Sequence, residues 1–441
     1  QFRVRATDRA GNVEAEHLVP DSVTVIGDIT QITDAANRDS GAPAISADGS
    51  RIAFVSNADF TGENADGNKE IFLFNVASGV FTQVTRTTGS VNASPSISAD
   101  GSLVALNSDR DLAGNNSDGN LEVFLFDVAS RLFTQVTKTS GGSNTSPKIS
   151  ADGTHVVFES DRDLAGGNPG NNSALFLFDT SDGSFSQIAT TTGATGFAQS
   201  INSDGTRVAF QSSANLIGKN PDGNIEIFLF DSATGQVVQA TNTTGGVNET
   251  PSINASGTVI ALISDRDLTG ENSDGNREVF VFSTASGTST QVTNSIGGRS
   301  VTPSISADGT RIAFVSDNDL AASEVTQLGQ NVDGNDEIFL LDTVRGIVSQ
   351  VTETTGGANY APSISADGTS IAFSSSGDPT RSNSEVNGEV FLAGAARATP
   401  PVKVPMVNLW MLVALALILA ASFVGRLRNA GLKHLGQVRD L

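Results

Sequence analysis

Short runs of consecutive apolar residues recur along this chain in two alternating types. The first type follows an Asp-Gly pair and the second contains two phenylalanines separated by one residue. Runs of three or four apolar residues are too short for most helices and are typical of buried β-strands. Because they are apolar on both faces, such strands need protein cover on both sides of their sheet. Examples of the two types are Arg51–Val55, His155–Phe158, Arg207–Phe210 and Arg311–Phe314, and Ile71–Phe74, Val123–Phe126, Leu175–Phe178 and Ile227–Phe230.

The Asp-Gly pairs belong to a Ser-Ala-Asp-Gly unit that recurs seven times, as Asn-Ser-Asp-Gly in the fourth copy and Asn-Ala-Ser-Gly in the fifth. Five successive steps between the units are 52 residues long, and the last step is 59 residues. A fixed period of this size indicates a repeat architecture. The aspartate position, occupied once by serine, is found at Asp48, Asp100, Asp152, Asp204, Ser256, Asp308 and Asp367.

Each of the first six repeats contains four extended segments, and an Asp-Gly hairpin signal separates the first two. In the first repeat we predict strands at Ala44–Ser46, Arg51–Ser56, Glu70–Asn75 and Val80–Thr85. A β-propeller supplies the cover that these strands need, because each blade lies between two neighbouring blades. The pattern therefore predicts an all-β, seven-bladed β-propeller of four-stranded blades.

The fourth strands indicate how the ring closes. A glutamine marks this strand in the first six repeats, and the seventh repeat has no such segment. The segment Thr30–Thr33 matches it and precedes the first repeat by one period. We therefore predict one closed propeller over residues 28–392, in which an N-terminal strand completes the last blade and leaves no open sheet edge.

These repeats resemble the TolB-type propeller family, whose unit reads roughly Pro-x-x-Ser-x-Asp-Gly-x-x-Ile-Ala-Phe, followed by a loop and Ile-Phe-Leu-x-Asp. The resemblance covers about residues 28–392. It implies the same fold, which also occurs beside hydrolase domains. This sequence has no Gly-x-Ser-x-Gly nucleophile motif and only three histidines, His17, His155 and His434.

Between the second and third strands, five blades carry the loop motif Asn-x-Asp-Gly-Asn-x-Glu. Oxygen ligands two residues apart, followed by a glycine that turns the backbone, are typical of calcium-binding loops. The first-position aspartate and the twelfth-position glutamate of an EF-hand are missing, so Asp59, Asp111, Asp267 or Asp319 would have to fold back. The candidate calcium ligands are Asn64, Asp66, Asn68, Glu70, Asn116, Asp118, Asn120, Glu122, Asn220, Asp222, Asn224, Glu226, Asn272, Asp274, Asn276, Glu278, Asn331, Asp333, Asn335 and Glu337.

The alternative interpretation of these loops is purely structural. Asn and Asp bond their own backbone in turns, and Gly supplies a positive φ. In that case the glutamate begins a strand at a wet rim. Blades 3 and 7 lack the motif, so we expect about five equivalent loops. The seven extra residues of blade 6, 321–327, form either a neutral insertion or part of a binding face.

Composition narrows the classes of partner. The net charge is −22, and residues 1–400 hold 47 acidic and 21 basic residues. Such a surface repels nucleic acid phosphates, so we predict no nucleic acid partner. The chain has no cysteine, which excludes disulfides and cysteine-based zinc sites.

The two ends of the chain differ from the repeats. Residues 1–20 resemble the last hairpin of an immunoglobulin-like or fibronectin-type domain, although a disordered leader is the alternative. We predict a linker at 393–408, a transmembrane helix at 409–425 and a basic cytoplasmic tail at 426–441. The order Val-Pro, Trp, apolar run and Arg cluster resembles IPTL-type sorting tails of Gram-negative surface proteins. A buried core helix is the alternative for this segment.

We therefore expect a non-enzymatic propeller in the bacterial cell envelope, held by one membrane anchor, with the propeller periplasmic or extracellular. Its partner would be an envelope or extracellular protein or a polysaccharide. Two alternatives from other classes are a hydrolase or lyase with its site at the central channel, and a calcium-stabilised adhesive module.

Overall fold

The computed structural model describes residues 28–190, 197–320, 331–380 and 387–394. The described residues form seven four-stranded antiparallel sheets and contain no α-helix. These sheets confirm the predicted seven-bladed, all-β architecture. The chain divides into two units, Gln1–Ala395 and Ala396–Leu441, and the second lies outside the described residues.

Twenty-eight strands make up the seven blades. Blade 7 begins the chain with β1 (Ile29–Gln31) and ends it with β26 (Asn359–Ile364), β27 (Ile371–Ser375) and β28 (Glu389–Ala393). Blades 1 to 3 are β2 (Ser40–Ile45), β3 (Arg51–Ser56), β4 (Glu70–Asn75) and β5 (Val80–Gln83); β6 (Asn92–Ile97), β7 (Leu103–Ser108), β8 (Glu122–Asp127) and β9 (Leu132–Gln135); and β10 (Asn144–Ile149), β11 (His155–Ser160), β12 (Ala174–Asp179) and β13 (Phe185–Thr190).

Blades 4 to 6 repeat the same order. They are β14 (Gln199–Ile201), β15 (Arg207–Ser212), β16 (Glu226–Asp231) and β17 (Gln236–Gln239); β18 (Asn248–Ile253), β19 (Val259–Ser264), β20 (Glu278–Ser283) and β21 (Thr288–Gln291); and β22 (Ser300–Ile305), β23 (Arg311–Ser316), β24 (Glu337–Asp342) and β25 (Ile347–Gln350).

The predicted bounds of the second and third strands are confirmed, whereas those of the first and fourth strands are wrong. In blade 1 the first strand begins at Ser40, because a bulge between Gly41 and Ala44 lets the strand pair with β3 on both sides of Pro43. Ala42 has a φ of 51°, a left-handed conformation that re-aims the strand. The fourth strand ends at Gln83, since the N–H groups of Val84 and Thr85 share the carbonyl of Ile71.

The core lies between the sheets and consists of phenylalanines and branched aliphatic residues. In five blades one phenylalanine of the second strand stacks on one of the third; for Phe54 and Phe72 the ring centroids are 5.8 Å apart. Both of these rings are fully buried. Each cluster of buried residues joins adjacent blades, as where Phe54 packs with Val390 and Leu392 of blade 7. The sandwiching of each sheet between two neighbours is thus confirmed.

Two features close the ring. β1 pairs with β28, so the N-terminal strand supplies the outermost strand of blade 7 as predicted. The Ser-Ala-Asp-Gly turns are also joined by an unbroken circle of seven backbone hydrogen bonds of 2.8–3.1 Å. The bonds run from Ala47 to Ala99, Ala99 to Ala151, Asp152 to Ser203, Ser203 to Ala255, Ala255 to Ala307, Ala307 to Ala366, and Ala366 to Ala47.

The propeller has two distinct faces. We call the end that carries the Ser-Ala-Asp-Gly turns the turn face. The opposite end is the loop face, which carries the loops between second and third strands and the connectors between blades. Ile29 and Ile371 both pair with Ala393, and Ile371 follows a Ser-Ala-Asp-Gly turn. The described chain therefore enters and leaves the propeller at the turn face.

Several predictions fall on other parts of the chain. The segments 1–20, 321–327, 409–425 and 426–441 lie outside the described residues. Of the predicted linker 393–408, Ala393 ends β28, and residues 395–408 lie outside the described residues. None of the described residues belongs to a helix long and apolar enough to cross a membrane.

Candidate functional site

Charge distinguishes the two faces. Each described charged residue belongs to the face nearer to it along its strand, or to the face that carries its loop. Lys148, Glu159 and Glu249 lie in strand interiors and belong to neither face. The loop face then carries 27 Asp and Glu and 10 Lys and Arg, and six of those acids are buried glutamates, so the accessible excess is 11 carboxylates. The turn face carries 12 and 5, an excess of 7. The loop face is therefore the more acidic surface and attracts cationic groups.

The predicted calcium ligands of blade 1 are held in a hydrogen-bond network. The Asn64 side-chain amide donates to the carbonyls of Ala58 and Asn68, at 3.1 and 3.0 Å. The Asn68 amide donates to the Glu70 carboxylate at 2.9 Å and to Thr87 at 3.1 Å. The asparagines therefore fix the shape of the loop from inside.

The glutamate is the centre of this network. In blade 1 the Glu70 carboxylate accepts hydrogen bonds from the backbone N–H and hydroxyl of Thr87, at 2.6 and 2.8 Å. It also accepts one from the Asn92 amide of the next blade, at 3.1 Å. Glu70 thus ties its loop to the connector and to the neighbouring blade. The equivalent glutamates are Glu122, Glu226, Glu278 and Glu337.

The burial of these glutamates shows that one expectation was wrong. Under the structural interpretation of the loops we expected them at a wet rim, yet their exposed fractions are 0 or 1%. Burial is tolerated because each carboxylate is saturated with donors. In blade 6 burial still raises the pKa of Glu337, against the lowering effect of hydrogen bonds from Thr352 and Thr354.

The aspartates of the motif bind the connectors between blades and not the interior of their own loops. The Asp66 carboxylate accepts a hydrogen bond from the N–H of Gly89 in the connector, at 3.2 Å. The same contact recurs in the other four motif-bearing blades, so it latches each loop to its connector. Those bonds join Asp118 to Gly141, Asp222 to Gly245, Asp274 to Gly297, and Asp333 to Gly356.

The aspartate that precedes the motif folds back onto the loop. The Asp59 carboxylate accepts hydrogen bonds from the N–H groups of Asn64 and Glu63, at 3.1 and 2.9 Å. The bond from Asn64 is the main cause that holds the pKa of Asp59 below its ordinary value. Asp111 and Asp267 make the same contact with Asn116 and Asn272.

One feature fits a cation or a water inside each loop. The side-chain oxygens of both motif asparagines are buried in all five loops, without a hydrogen-bond partner among the described residues. Buried amide oxygens normally have a partner. The carboxylates, however, are engaged elsewhere, and the described residues contain no cluster of three carboxylate or histidine groups suited to a metal. Calcium binding stays a prediction.

Blades 3 and 7 differ from this pattern in different ways. In blade 3 the Asn168 side-chain oxygen has a partner, the N–H of Asn172, at 3.1 Å. Blade 7 retains the glutamate centre, which we did not predict. Its Glu389 is 1% exposed and accepts hydrogen bonds from Asn387, Ala35 and Thr33. The N-terminal segment is therefore tied to blade 7 by this network as well as by β1.

Sequence reasoning missed the partners of the glutamates. In blades 1, 2, 4 and 6, a threonine pair after the fourth strand and the asparagine that begins the next first strand complete the network; blade 5 has serine in place of the second threonine and of the asparagine. Both recur in phase with the repeat, as in Thr85, Thr87 and Asn92. Aligning the repeats and comparing all their polar positions, rather than the loop alone, would have identified these partners of the glutamates.

A groove of about 590 Å³ lies at the outer edge between blades 4 and 5. Its lining combines backbone groups and hydroxyls with one guanidinium and one carboxylate. These donors and acceptors suit a polar ligand. The lining residues are Ala240, Thr241, Asn242, Thr243, Thr244, Arg266, Asp267, Leu268, Gly287, Thr288 and Ser289.

Comparison with known proteins supports the fold and leaves the activity open. No protein-family model and no curated protein sequence matches the chain. Oligogalacturonate lyase from Vibrio parahaemolyticus is similar in structure, with a TM-score of 0.57 and 13% identity over 85% of this chain and 95% of that chain. An oligogalacturonate lyase in complex with manganese gives a TM-score of 0.55 and 14% identity over 89% and 96%. TolB from Acinetobacter baumannii gives 0.42 and 18% over 84% and 79%.

Proposed function

We propose that this chain is a non-enzymatic binding module of the bacterial cell envelope, anchored through residues 409–425, that recognises a protein or polysaccharide partner with its loop face. The observation that carries the proposal is the division of the propeller into two faces. Both described chain ends leave at the turn face. Neither end of the described chain lies at the loop face, which holds the repeated loops.

The charge of the loop face indicates the kind of partner. An excess of 11 accessible carboxylates attracts a partner with basic groups and speeds its encounter at low ionic strength. The latched loops are held in one conformation before binding, which lowers the entropy cost of recognition. A basic protein segment or an amino-sugar polymer satisfies this surface better than an acidic polymer does.

The test compares two double variants of the full chain that change net charge equally. Glu271→Gln with Glu353→Gln neutralises exposed carboxylates on the loop face, and Asp28→Asn with Asp182→Asn does so on the turn face. We expect the loop-face variant to capture less partner from envelope extracts and the capture to weaken with added salt. Loss of capture in the turn-face variant alone would contradict the proposal.

A second candidate is a calcium-stabilised adhesive module, favoured by the ten unpartnered asparagine oxygens. A cation bound only by the folded chain raises the melting temperature in proportion to the logarithm of its concentration. Melting in calcium, in magnesium and in chelator tests this directly. A Tm that is the same in all three conditions excludes the stabilising cation.

A further inference from the structure

The first strands of the seven blades surround a central channel. Each contacts the first strands of both neighbouring blades, so the seven form the inner ring of the propeller. A side chain in the middle of such a strand that is not packed between the blades therefore faces the channel. One such position, four residues before the motif aspartate, is exposed at Lys148 and half-buried in five other blades, whereas Ser96 is 9% exposed. The seven residues are Ala44, Ser96, Lys148, Ser200, Ser252, Ser304 and Ser363.

The serines at this level share one hydrogen bond. Each hydroxyl oxygen accepts the N–H of an isoleucine in the next blade, as where Ile149 donates to Ser96 at 3.1 Å. A hydroxyl that accepts through its oxygen still has its own proton to donate. The ring therefore offers five O–H donors to the channel. The other pairs are Ile45 with Ser363, Ile253 with Ser200, Ile305 with Ser252, and Ile364 with Ser304.

Lys148 is the exception in this ring. It places an ammonium group where five other blades have a hydroxyl, and it has no ion pair or hydrogen bond within the described part of the chain. Its side chain is exposed to the solvent of the channel, and the first strands of the other blades surround that channel. The surrounding protein lowers the pKa of the ammonium by desolvation. A charged group held in such a place gains from an opposite charge.

We propose that Lys148 and the neighbouring serine hydroxyls bind one compact oxyanionic group, a carboxylate or a phosphate, in the central channel. Charge-assisted hydrogen bonds from an ammonium and hydroxyls suit such a group. No carboxylate occupies this level of the ring. The fold itself does not require the lysine, because the other blades hold the same position with serine or alanine.

The turn-face mouth of the channel limits what can enter. Six carboxylates of the Ser-Ala-Asp-Gly turns surround that mouth, so an extended polyanion is repelled there. The channel therefore selects a group with a single compact charge, such as a sugar acid or a chain-terminal carboxylate. The six are Asp48, Asp100, Asp152, Asp204, Asp308 and Asp367. This site is independent of partner binding at the loop face.

The experiment titrates the full chain with inorganic phosphate and, separately, with acetate, at constant ionic strength against chloride, and follows binding calorimetrically. Lys148→Ser makes the ring more uniform and restores a residue that five blades already have there. Lys219→Ser removes an exposed surface lysine and serves as the matched control. A folded-state check by melting accompanies each variant.

We expect the wild-type chain and Lys219→Ser to bind alike, and Lys148→Ser to bind at least about tenfold more weakly, as for loss of a charge-assisted pair. Preference for acetate or for phosphate identifies which anion the site takes. In the wild-type chain, the bound anion should also protect Lys148 from acylation by an amine-reactive ester. Equal binding by wild type and Lys148→Ser, or no binding of either anion at concentrations that saturate millimolar sites, would overturn the proposal.

Discussion

The carboxyl group of Glu159 gives the sharpest test of the packing between blades. Glu159 lies in β11, and its carboxylate accepts the N–H of Phe197 in blade 4 at 3.0 Å. Burial raises the pKa of Glu159 from 4.5 to about 7, and the hydrogen bond only partly offsets this. The equivalent residue of blade 4 is Gln211, whose side-chain oxygen accepts the N–H of Thr250 at 2.9 Å. Glu159→Gln should therefore fit without rearrangement.

The sign of the effect follows from the two pKa values. Below pH 4.5 both folded and unfolded chains hold the proton, and the charge has no effect on stability. As pH rises from 4.5 towards 7, the unfolded chain releases the proton that the folded chain retains, so stability falls. Above the folded pKa the cost is complete, at about 3 kcal/mol. Solvent that reaches the half-buried group reduces this to roughly 1–3 kcal/mol.

Denaturant unfolding of the full chain at about pH 8 and about pH 4 measures the effect. We expect Glu159→Gln to be more stable than the wild type by roughly 1–3 kcal/mol at the higher pH, and to lose this advantage at the lower. Glu353→Gln changes the net charge equally at an exposed site and should be near neutral at both. A Glu159→Gln chain that is less stable at the higher pH would refute the reasoning.

Two further substitutions test the glutamate centres and the closure of the ring. Glu226→Ala should lower the free energy of unfolding by about 3 kcal/mol or more, because the Thr243 N–H and the Thr241 hydroxyl lose their acceptor and the amides of Asn224 and Asn248 lose one each, whereas Glu226→Gln should lower it less; denaturant midpoints compare the two. Thr30→Pro removes an N–H that faces Leu392 in the pairing of β1 with β28 and should lower the free energy of unfolding by about 3 kcal/mol. Thr30→Ala keeps this N–H, and its melting temperature should be close to that of the wild type.

The repeat period made most of the fold predictable. Strands that are apolar on both faces, as in Ile71–Phe74, require cover on both sides, and the glutamine of Thr30–Thr33 lies in phase with the repeats. Those two observations led to the closed ring. The first-strand bounds were not predictable in the same way, because they depend on a left-handed residue such as Ala42 that no composition rule selects.

The candidate site was predictable only in part. The loop motif identified residues that do cluster, such as Asn68 and Glu70, but not that the glutamate is buried. Its donors come from the connector and the next blade, and such distant contacts leave no local pattern. Lys148 was detectable in principle, because it replaces serine at a fixed position before the repeated turn. Its place in the channel became evident only from the ring of first strands.

The claim that recognition occurs at the loop face can be tested by cross-linking from single cysteines, since the chain has none of its own. Ser117→Cys and Ala129→Cys place an exposed attachment point in the same blade, at the loop face and at the turn face respectively. Each full-length variant, labelled with the same photoactivatable group, is irradiated in envelope extracts. We predict that a partner is cross-linked from position 117 and not from 129. A partner cross-linked only from 129 would contradict the account.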